Sequence, residues 1–138
     1  MNVQAYLMFN GRTEEAIEFY KKAVGAEVTA LMRFSDAPEP MPPGMIPEGW
    51  ENKVMHSSFK VGAAELMASD GCQSDDAGFK GISLALSVAS PEEAGAKFAA
   101  LSEGGEITMP LAATFFSPSF GTLTDRFGVS WMVVTSPV

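Results

Sequence analysis

The chain repeats part of itself once, and this internal repeat constrains its fold more than any other feature. The tripeptide Glu14-Glu15-Ala16 recurs as Glu92-Glu93-Ala94, and the pentapeptide at 25–29 has a counterpart at 104–108 after a nearly equal separation. Ordered self-similarity of this kind indicates one supersecondary unit used twice. With 138 residues, 46% of them hydrophobic, the chain is long enough to form one domain with a substantial core.

Helix start signals follow the first apolar run of each copy. Thr13 is the N-cap candidate of the first helix, whereas the second start combines Ser90 as N-cap, Pro91 at the first helical position and Glu93 closing a capping box. Apolar residues then recur at helical spacing, which indicates that each helix packs one stripe against a sheet. The stripes consist of Ala16, Ile17, Tyr20, Ala23 and Val24 in the first helix and of Ala94, Phe98 and Leu101 in the second.

Glycines that suit a left-handed C-cap end both helices, and a short β-like run follows each of them. These glycines are Gly25 in the first copy and the pair Gly104-Gly105 in the second. Further apolar runs between turn residues predict strands over 3–9, 54–61, 65–68, 82–88, 115–120 and 129–134. The chain is therefore predicted to be an α+β protein, a single domain of two tandem βαβββ modules at about 1–75 and 76–138.

The last predicted strand follows a tight turn from Asp125 to Gly128, in which Gly128 can adopt a positive φ. Side chains alternate between the two faces of a strand. Trp131 and Val133 should therefore share one face and Met132 and Val134 the other, so that only one pair can line a cavity.

A proline-rich segment, residues 35–53, has no usable periodicity and is predicted to be a long loop. It contains Met41, Met45 and Trp50 among its prolines and acidic residues. Loops longer than roughly 15 residues in compact domains are usually functional or disordered, and Met and Trp side chains gain by lying on an apolar surface. We expect a lid over a cavity or a wrap around a partner subunit.

Charge and cysteine content argue against several partners. The formal net charge is −8, from 17 acidic and 9 basic residues, and no cluster of Lys or Arg is present to neutralise phosphates. Nucleic acid is therefore not an expected partner. The lone Cys72 cannot form an internal disulfide, and neither a signal-peptide pattern nor a membrane-spanning apolar run is found. We expect a cytoplasmic protein that does not bind a membrane.

A doubled βαβββ module in a chain of this length resembles the vicinal oxygen chelate superfamily of glyoxalases, bleomycin-resistance proteins and extradiol dioxygenases. More narrowly, the chain resembles PhnB-like proteins. The narrower resemblance rests on Phe19-Tyr20 before Gly25-Ala26-Glu27, on His56 before the segment 65–70, and on the segment 116–131. It implies strands folded into a U-shaped half-barrel around a cavity that holds a small-molecule ligand. It also implies a homodimer, because PhnB-like relatives commonly pair modules from two subunits.

Metal-dependent members of the superfamily hold a divalent ion with four inward side chains, and the corresponding positions carry poor ligands here. They fall on Ala5, Ser83 and Met132 and near Leu66, with Glu65 one register away. A one-residue shift turns a strand side chain to the opposite face. Because the chain has one His, it cannot build a two-His-one-carboxylate iron site or a multi-His zinc site. No cofactor is expected, and an oxygen-only metal site using Glu65 or Asp70 is the alternative.

His56 is the candidate catalytic residue, because imidazole titrates near neutral pH and this residue begins a strand that can line the cavity. Asp70 is its candidate partner: within hydrogen-bond reach, the carboxylate would fix the imidazole tautomer and raise its basicity. Each has a structural alternative. His56 can fix a neighbouring loop by hydrogen bonding, and Asp70, between Ser69 and Gly71, can cap backbone N–H groups in a turn.

Aromatic and methionine side chains are predicted to wall an apolar ligand cavity. The predicted ligand-binding residues are Trp50, Phe116, Phe120 and Met132. The metal-ligand position of the superfamily assigns Met132 to the cavity, which leaves Trp131 to the core.

Two functions are left open. The missing ligands favour a metal-free protein that binds a small molecule; the alternative is a lyase, isomerase or dioxygenase-type enzyme that uses His56 with a carboxylate or a divalent metal. Glu65 discriminates between them, because a Glu65 side chain in the cavity beside His56 would favour the enzyme. Some relatives carry a demethylubiquinone methyltransferase label, but no glycine-rich strand-to-helix turn is present here to hold a methyl-donor nucleotide.

Overall fold

Both halves of the chain have the element order βαβββ that the internal repeat predicts. The computed structural model describes residues 1–38, 44, 47–71 and 78–136, which divide into a first unit, Met1–Ala77, and a second unit, Gly78–Val138. The first unit contains β1 (Tyr6–Met8), α1 (Thr13–Val24), β2 (Glu27–Arg33), β3 (Val54–Val61) and β4 (Ala64–Ser69). The second contains β5 (Ser83–Val88), α2 (Pro91–Ser102), β6 (Glu106–Ala112), β7 (Phe120–Thr124) and β8 (Ser130–Thr135). The predicted α+β class is confirmed.

The two units also share one sheet topology. The strand order is β1-β4-β3-β2 in the first sheet and β5-β8-β7-β6 in the second. In each sheet the first and last strands of the unit pair in parallel, and the other pairs are antiparallel. Sequence repetition is therefore matched by repetition of strand order and direction.

The core of the first unit lies between α1 and one face of its sheet. The predicted helix stripe is buried, and Tyr20, 1% exposed, stacks on Phe59 of β3 with ring centroids 6.1 Å apart. Leu7 and Ala68 are buried beside each other on neighbouring strands. Burying each large apolar side chain contributes about 1.5–3 kcal/mol, so this stripe holds the helix on the sheet.

The second unit packs α2 against Leu123, Trp131 and Val133 in the same way, all of them at most 3% exposed. Gly121 of β7 makes the close approach of the helix possible. A Cβ added at Gly121 would lie 2.8 Å from the ring of Phe98. The predicted assignment of Trp131 to the core is confirmed, and its indole N–H donates to the buried carboxylate of Asp125 at 2.9 Å.

The two helices begin differently. In α2 the predicted N-cap is present, since the Glu93 N–H donates to Ser90 Oγ at 3.1 Å. In α1 the N-cap position is Arg12, with no side-chain cap bond, and Thr13 is already the first helical residue. The prediction of Thr13 as N-cap is therefore wrong. Its Oγ1 is buried without a hydrogen-bond partner in the described part of the chain.

Two strand predictions also differ from the structure. β1 is shorter than the predicted 3–9, and Val3 before it is 91% exposed. The run 115–119 is a turn rather than a strand, and β7 begins only at Phe120. Ser117 holds this turn, because its hydroxyl lies 2.9 Å from Ser119 O and 2.6 Å from Thr135 O. Pro118 beside it has no N–H to donate to a ladder.

The two ends of the predicted proline-rich loop are hydrogen-bonded to each other. Backbone N–H groups of Phe34 and Ser35 donate to Lys53 O and Glu51 O at 3.1 and 2.8 Å, next to a single 3₁₀ turn at Phe34–Asp36. The middle of the loop, with Met41 and Met45, lies outside the described residues, as does Cys72. In the described part of the chain, neither helix has the length and apolar character needed to cross a membrane.

Candidate functional site

Each sheet has one face covered by the helix of its own unit, and we call the opposite face its open face. Strand pairing arranges the open-face side chains of the first unit in rows across the sheet. Met32 pairs with His56, and Met8 pairs with Ser69. Because Ser57 pairs with Ala68, His56 and Ser69 are the next neighbours along the same ladder. The first row is therefore Met8, Ser69, His56 and Met32.

Two further rows follow along the same open face. The second row consists of Tyr6, Met67, Ser58 and Ala30. The third contains Glu65, Lys60 and Glu27. Rows on one face are about 7 Å apart, since each is two residues further along a strand. The open face thus changes from methionine and aromatic side chains around His56 to charged side chains at its other end.

His56 and Tyr6 form the polar centre of this face. The hydroxyl of Tyr6 and Nδ1 of His56 are 2.9 Å apart, and the two ring centroids are 5.6 Å apart. Tyr6 is 40% exposed, and Nε2 of His56 has no hydrogen-bond partner among the described residues. The pair therefore presents one imidazole nitrogen to whatever lies on the open face.

The chemistry available to Nε2 depends on which group donates in the Tyr6–His56 hydrogen bond. With the Tyr6 O–H as donor, Nε2 carries the proton and can donate to a ligand oxygen. With Nδ1–H as donor to the tyrosine oxygen, Nε2 has a lone pair and can accept a proton as a general base. One geometry thus allows ligand binding and proton transfer.

Glu65 lies on the same open face as His56, which resolves the register left ambiguous by the sequence. Its carboxylate accepts from Gln4 Nε2 at 3.4 Å and from Thr29 Oγ1 at 3.5 Å. Glu65 pairs with Lys60, four residues along β3 from His56, a separation of roughly 13 Å. Glu65 therefore shares the face with His56 without lying beside it.

Asp70 is engaged in structure rather than paired with His56. Its Oδ1 accepts the Thr13 N–H at 2.8 Å and its Oδ2 accepts the Val54 N–H at 2.7 Å, while the residue is 2% exposed. The expected pairing of Asp70 with His56 is corrected by this geometry, because both carboxylate oxygens are used by buried backbone donors. The capping alternative describes the contacts that are observed.

The open face of the second unit carries three of the predicted ligand-binding residues. Met132 pairs with Thr122 and Ala85, and Phe120 pairs with Val134 and Ala112. The ring of Phe116 contacts that of Phe120 edge-on, with centroids 5.1 Å apart. Phe116 is 43% exposed and the adjacent Phe115 fully exposed. The face is apolar around Phe116 and Phe120, whereas Thr122 beside Met132 and Thr124 beside Ser130 make its other end polar.

Trp50, the fourth predicted ligand-binding residue, lies elsewhere in the first unit. Its indole is close to Gly11, where an added Cβ would lie 3.4 Å from the ring. Gly11 belongs to the turn between β1 and α1, and its carbonyl accepts from Lys53 Nζ at 2.9 Å. Trp50 therefore packs on this turn, and this contact accounts for its position.

A second polar region is a cleft of about 420 Å³ near the start of α1, lined by Gly11, Glu14, Arg33, Gly49, Asn52, Lys53, Val54 and Asp70. Arg33 donates to both carboxylate oxygens of Glu14, at 3.0 and 2.7 Å. The hydrogen bond from Arg33 and its positive charge hold the pKa of Glu14 below its ordinary value, and Glu14 raises the pKa of Arg33. The two charged groups stabilise each other, so a structural ion pair accounts for their presence in this cleft.

A superfamily-type metal centre does not fit the residues present. Among the described residues, no group of three or more His, Cys, Asp or Glu side chains is placed to hold a metal ion. His56 and Glu65 are roughly 13 Å apart along the face, whereas ligands of one zinc ion lie about 2 Å from it. The other superfamily positions, Ser83 and Met132, carry no strong ligand for such an ion.

Sequence reasoning missed the residues that surround His56, namely Tyr6, Met8, Met32 and Met67. Alternation in β1 offered a signal, because Tyr6 and Met8 flank the apolar Leu7 and must share the face opposite to it. The hydrogen bond between Tyr6 and His56 joins residues 50 apart in the chain, and no local pattern predicts it.

Two mixed four-stranded sheets of identical topology, each with one helix, define the glyoxalase and bleomycin-resistance fold class of the vicinal oxygen chelate superfamily. The fosfomycin resistance protein FosX from Listeria monocytogenes has this fold, with a TM-score of 0.65 over 100% of this chain and 94% of that protein, at 10% identity. At that identity the likeness concerns the fold alone.

Within this class, the model of the family described as 3-demethylubiquinone-9 3-methyltransferase matches residues 1–134, and the chain belongs to this PhnB-like family. A putative 3-demethylubiquinone-9 3-methyltransferase, PhnB protein, from Bacillus cereus is 30% identical, with a TM-score of 0.81 over 99% of this chain and 100% of that one. A solved protein from Pseudomonas aeruginosa is 41% identical, with a TM-score of 0.82 over 99% and 98%. Protein YjdN of Escherichia coli is 31% identical over 96% of this chain and 94% of its own length.

Proposed function

We propose that this chain is a small-molecule-binding protein that works without a metal ion, and that its ligand lies on the open face of the first unit around His56. The observation that carries the proposal is the Tyr6–His56 pair, whose Nε2 lies on the open face among Met8, Met32 and Met67. Pockets for small molecules commonly combine such an apolar wall with a few placed polar groups.

The ligand-binding role extends, as part of the same proposal, to Phe116, Phe120 and Met132 on the open face of the second unit. A homodimer belongs to the proposal as well. Phe115 supports it, since its side chain is fully exposed to solvent in the single chain, and exposed apolar patches commonly mark interaction sites. Sedimentation velocity of the purified protein tests this part, with Phe115→Ser as the variant expected to shift the equilibrium towards monomer.

The primary experiment is metal analysis combined with thermal-shift titration. Protein purified without an affinity tag should contain no stoichiometric metal, and Mn²⁺, Fe²⁺, Ni²⁺, Zn²⁺ and Mg²⁺ should each leave its melting temperature without a saturable rise. Stoichiometric metal, or a saturable rise that His56→Ala abolishes, would overturn the metal-free proposal. His56→Gln is tested beside His56→Ala, because glutamine removes the imidazole while its amide keeps hydrogen-bonding groups on that side chain.

An enzyme is the second candidate, favoured by one observation, the 2.9 Å contact between Tyr6 and His56. If Nδ1–H donates to the tyrosine oxygen, Nε2 can abstract a proton from a carbon next to a carbonyl, and the proton then returns to a neighbouring position in an isomerisation. The ¹⁵N shifts of the imidazole distinguish the tautomers. A protonated Nε2 at neutral pH supports the binding protein, and an unprotonated Nε2 supports the base.

The methyltransferase description of the family is not extended to this chain. Binding a methyl-donor nucleotide in a strand-to-helix turn calls for closely spaced glycines that let the backbone approach the ligand. The turn between β1 and α1 contains the single glycine Gly11, which packs against Trp50, and the turn between β5 and α2 is Ala89-Ser90. Equilibrium dialysis with radiolabelled S-adenosylmethionine should therefore show no saturable binding.

A further inference from the structure

The side chains around His56 narrow the class of ligand that the open face of the first unit suits. We propose that this face binds a planar aromatic molecule carrying a hydrogen-bonding group, with the ring against methionine sulfurs and the polar group on Nε2 of His56. This inference rests on the proposed function, because it specifies the ligand of the same site.

Three methionines surround the Tyr6–His56 pair. Met32 is the direct cross-strand neighbour of His56, and Met67 is the neighbour of Tyr6. Met8 completes the row of His56 on the far strand and is 50% exposed, while Met32 is 40% exposed. The side chains of Met8 and Met32 are therefore partly accessible from the open side of the sheet.

Methionine makes a different contact with an aromatic ring than leucine or valine does. Its polarisable sulfur makes favourable contacts with a ring about 5 Å away, and its unbranched side chain adapts to the outline of the ligand. A saturated ring gains the same burial of apolar area but not the sulfur contact. Three methionines around one hydrogen-bonding group thus favour a flat aromatic ligand over an aliphatic one.

The dimensions of the face limit the ligand further. The two methionine-containing rows are about 7 Å apart, and four strands span about 14 Å. Beyond them the third row places Glu65 and Lys60 on the same face, where an apolar ring would displace water from charges. One or two fused rings fit the area between these limits, with a hydroxyl or carbonyl at the edge that meets His56.

Calorimetric titration with 2-naphthol and its saturated analogue decahydro-2-naphthol tests the ligand class, because both present one hydroxyl. We expect 2-naphthol to bind about tenfold more tightly. Replacing two sulfurs in the variant Met32→Leu with Met67→Leu should weaken 2-naphthol about two- to tenfold and leave the saturated analogue unchanged. Leu31→Met is the matched control, since Leu31 neighbours Met32 on the opposite face of β2 and the substitution should change neither affinity.

Each other outcome rejects a defined part of the inference. Equal affinities for the two probes would overturn the aromatic class and leave the small-molecule function standing. If neither probe binds, the aromatic class is overturned; if His56→Gln binds 2-naphthol as tightly as the native chain, the placement of the ligand on His56 fails, and the proposed site fails with it. If sedimentation shows that self-association blocks 2-naphthol, a second copy of the chain occupies the face and the inference is overturned. Circular dichroism of each variant establishes that a lost affinity is not a loss of folding.

Discussion

Asp70 caps helix α1 from the neighbouring strand end: its Oδ1 accepts the N–H of Thr13, a residue 57 positions away, at 2.8 Å. The other oxygen accepts the N–H of Val54 at 2.7 Å. One buried carboxylate thereby joins the end of β4 to the start of α1 and the start of β3. The negative charge also lies at the positive end of the helix dipole.

The first prediction concerns this carboxylate. Asp70→Ala leaves two buried backbone N–H groups without acceptors, so we expect the free energy of unfolding to fall by about 2–4 kcal/mol, measured by urea denaturation. Asp36→Ala is the matched control, because Asp36 accepts the N–H of Arg33 at 2.9 Å in an exposed position and should cost less than about 1 kcal/mol. If Asp70→Ala left the stability unchanged and abolished ligand binding, Asp70 would have to be assigned to the binding site instead.

The second prediction compares the two helix starts. Ser90→Ala removes the acceptor of the Glu93 N–H and should cost about 1 kcal/mol. Thr13→Val removes a buried hydroxyl that has no hydrogen-bond partner in the described residues, so it should be neutral or slightly stabilising. Thermal and urea unfolding of both variants check the contrast. A larger loss for Thr13→Val than for Ser90→Ala would mean that the threonine hydroxyl does cap α1.

The third prediction uses two glycines of opposite character in the second unit. A Cβ at Gly105 would collide with Thr124 O and lie 2.9 Å from the backbone of Asp125, so Gly105→Ala should destabilise by about 1–3 kcal/mol. Gly95 lies inside α2, where an added Cβ meets nothing within 4 Å. Gly95→Ala should stabilise the protein by about 0.5–1 kcal/mol. Equal effects in unfolding experiments would contradict the close approach at Gly105.

The fourth prediction is a pH dependence set by the Glu14–Arg33 pair. Because the pKa of Glu14 lies below its ordinary value of 4.5, the unfolded chain takes up the proton first as the pH falls. The contribution of the pair is therefore complete above that ordinary value and is lost as the pH drops through the lowered pKa. Glu14 is more than half exposed, so the effect should be modest and weakened by salt.

Urea midpoints of the native chain and Glu14→Gln across an acid pH series measure this contribution. The native chain should be more stable at neutral pH, and the two midpoints should converge under acid conditions. Arg33→Gln is the partner control: in its background, Glu14→Gln should have a smaller effect at every pH. A difference between native and Glu14→Gln proteins that grows on acidification would contradict the assigned direction of the pKa shift.

Part of the candidate site could be predicted from the sequence. Alternation in the last strand put Trp131 and Met132 on opposite faces, and the resemblance to the superfamily assigned Met132 to the cavity and Trp131 to the core. The structure has them on opposite faces with Trp131 buried. The environment of His56 could not be predicted. Tyr6, Met32 and Met67 come from three different strands, and only strand order and register bring them to one histidine.

The helix starts show the same difference between local patterns and contacts that need the folded chain. The two βαβββ units, the apolar stripes of both helices and the N-cap at Ser90 follow from the sequence, because each strand, helix and cap depends on residues within a few positions of one another. The folded chain is needed to place Asp70 at α1, Glu65 on the open face and Tyr6 against His56. These contacts join residues 57, 61 and 50 positions apart for Asp70 with Thr13, Gln4 with Glu65 and Tyr6 with His56. They exist only after the strands have paired in register, because a shift of one residue would turn Tyr6, His56 and Glu65, which lie in strands, to the other face of the sheet.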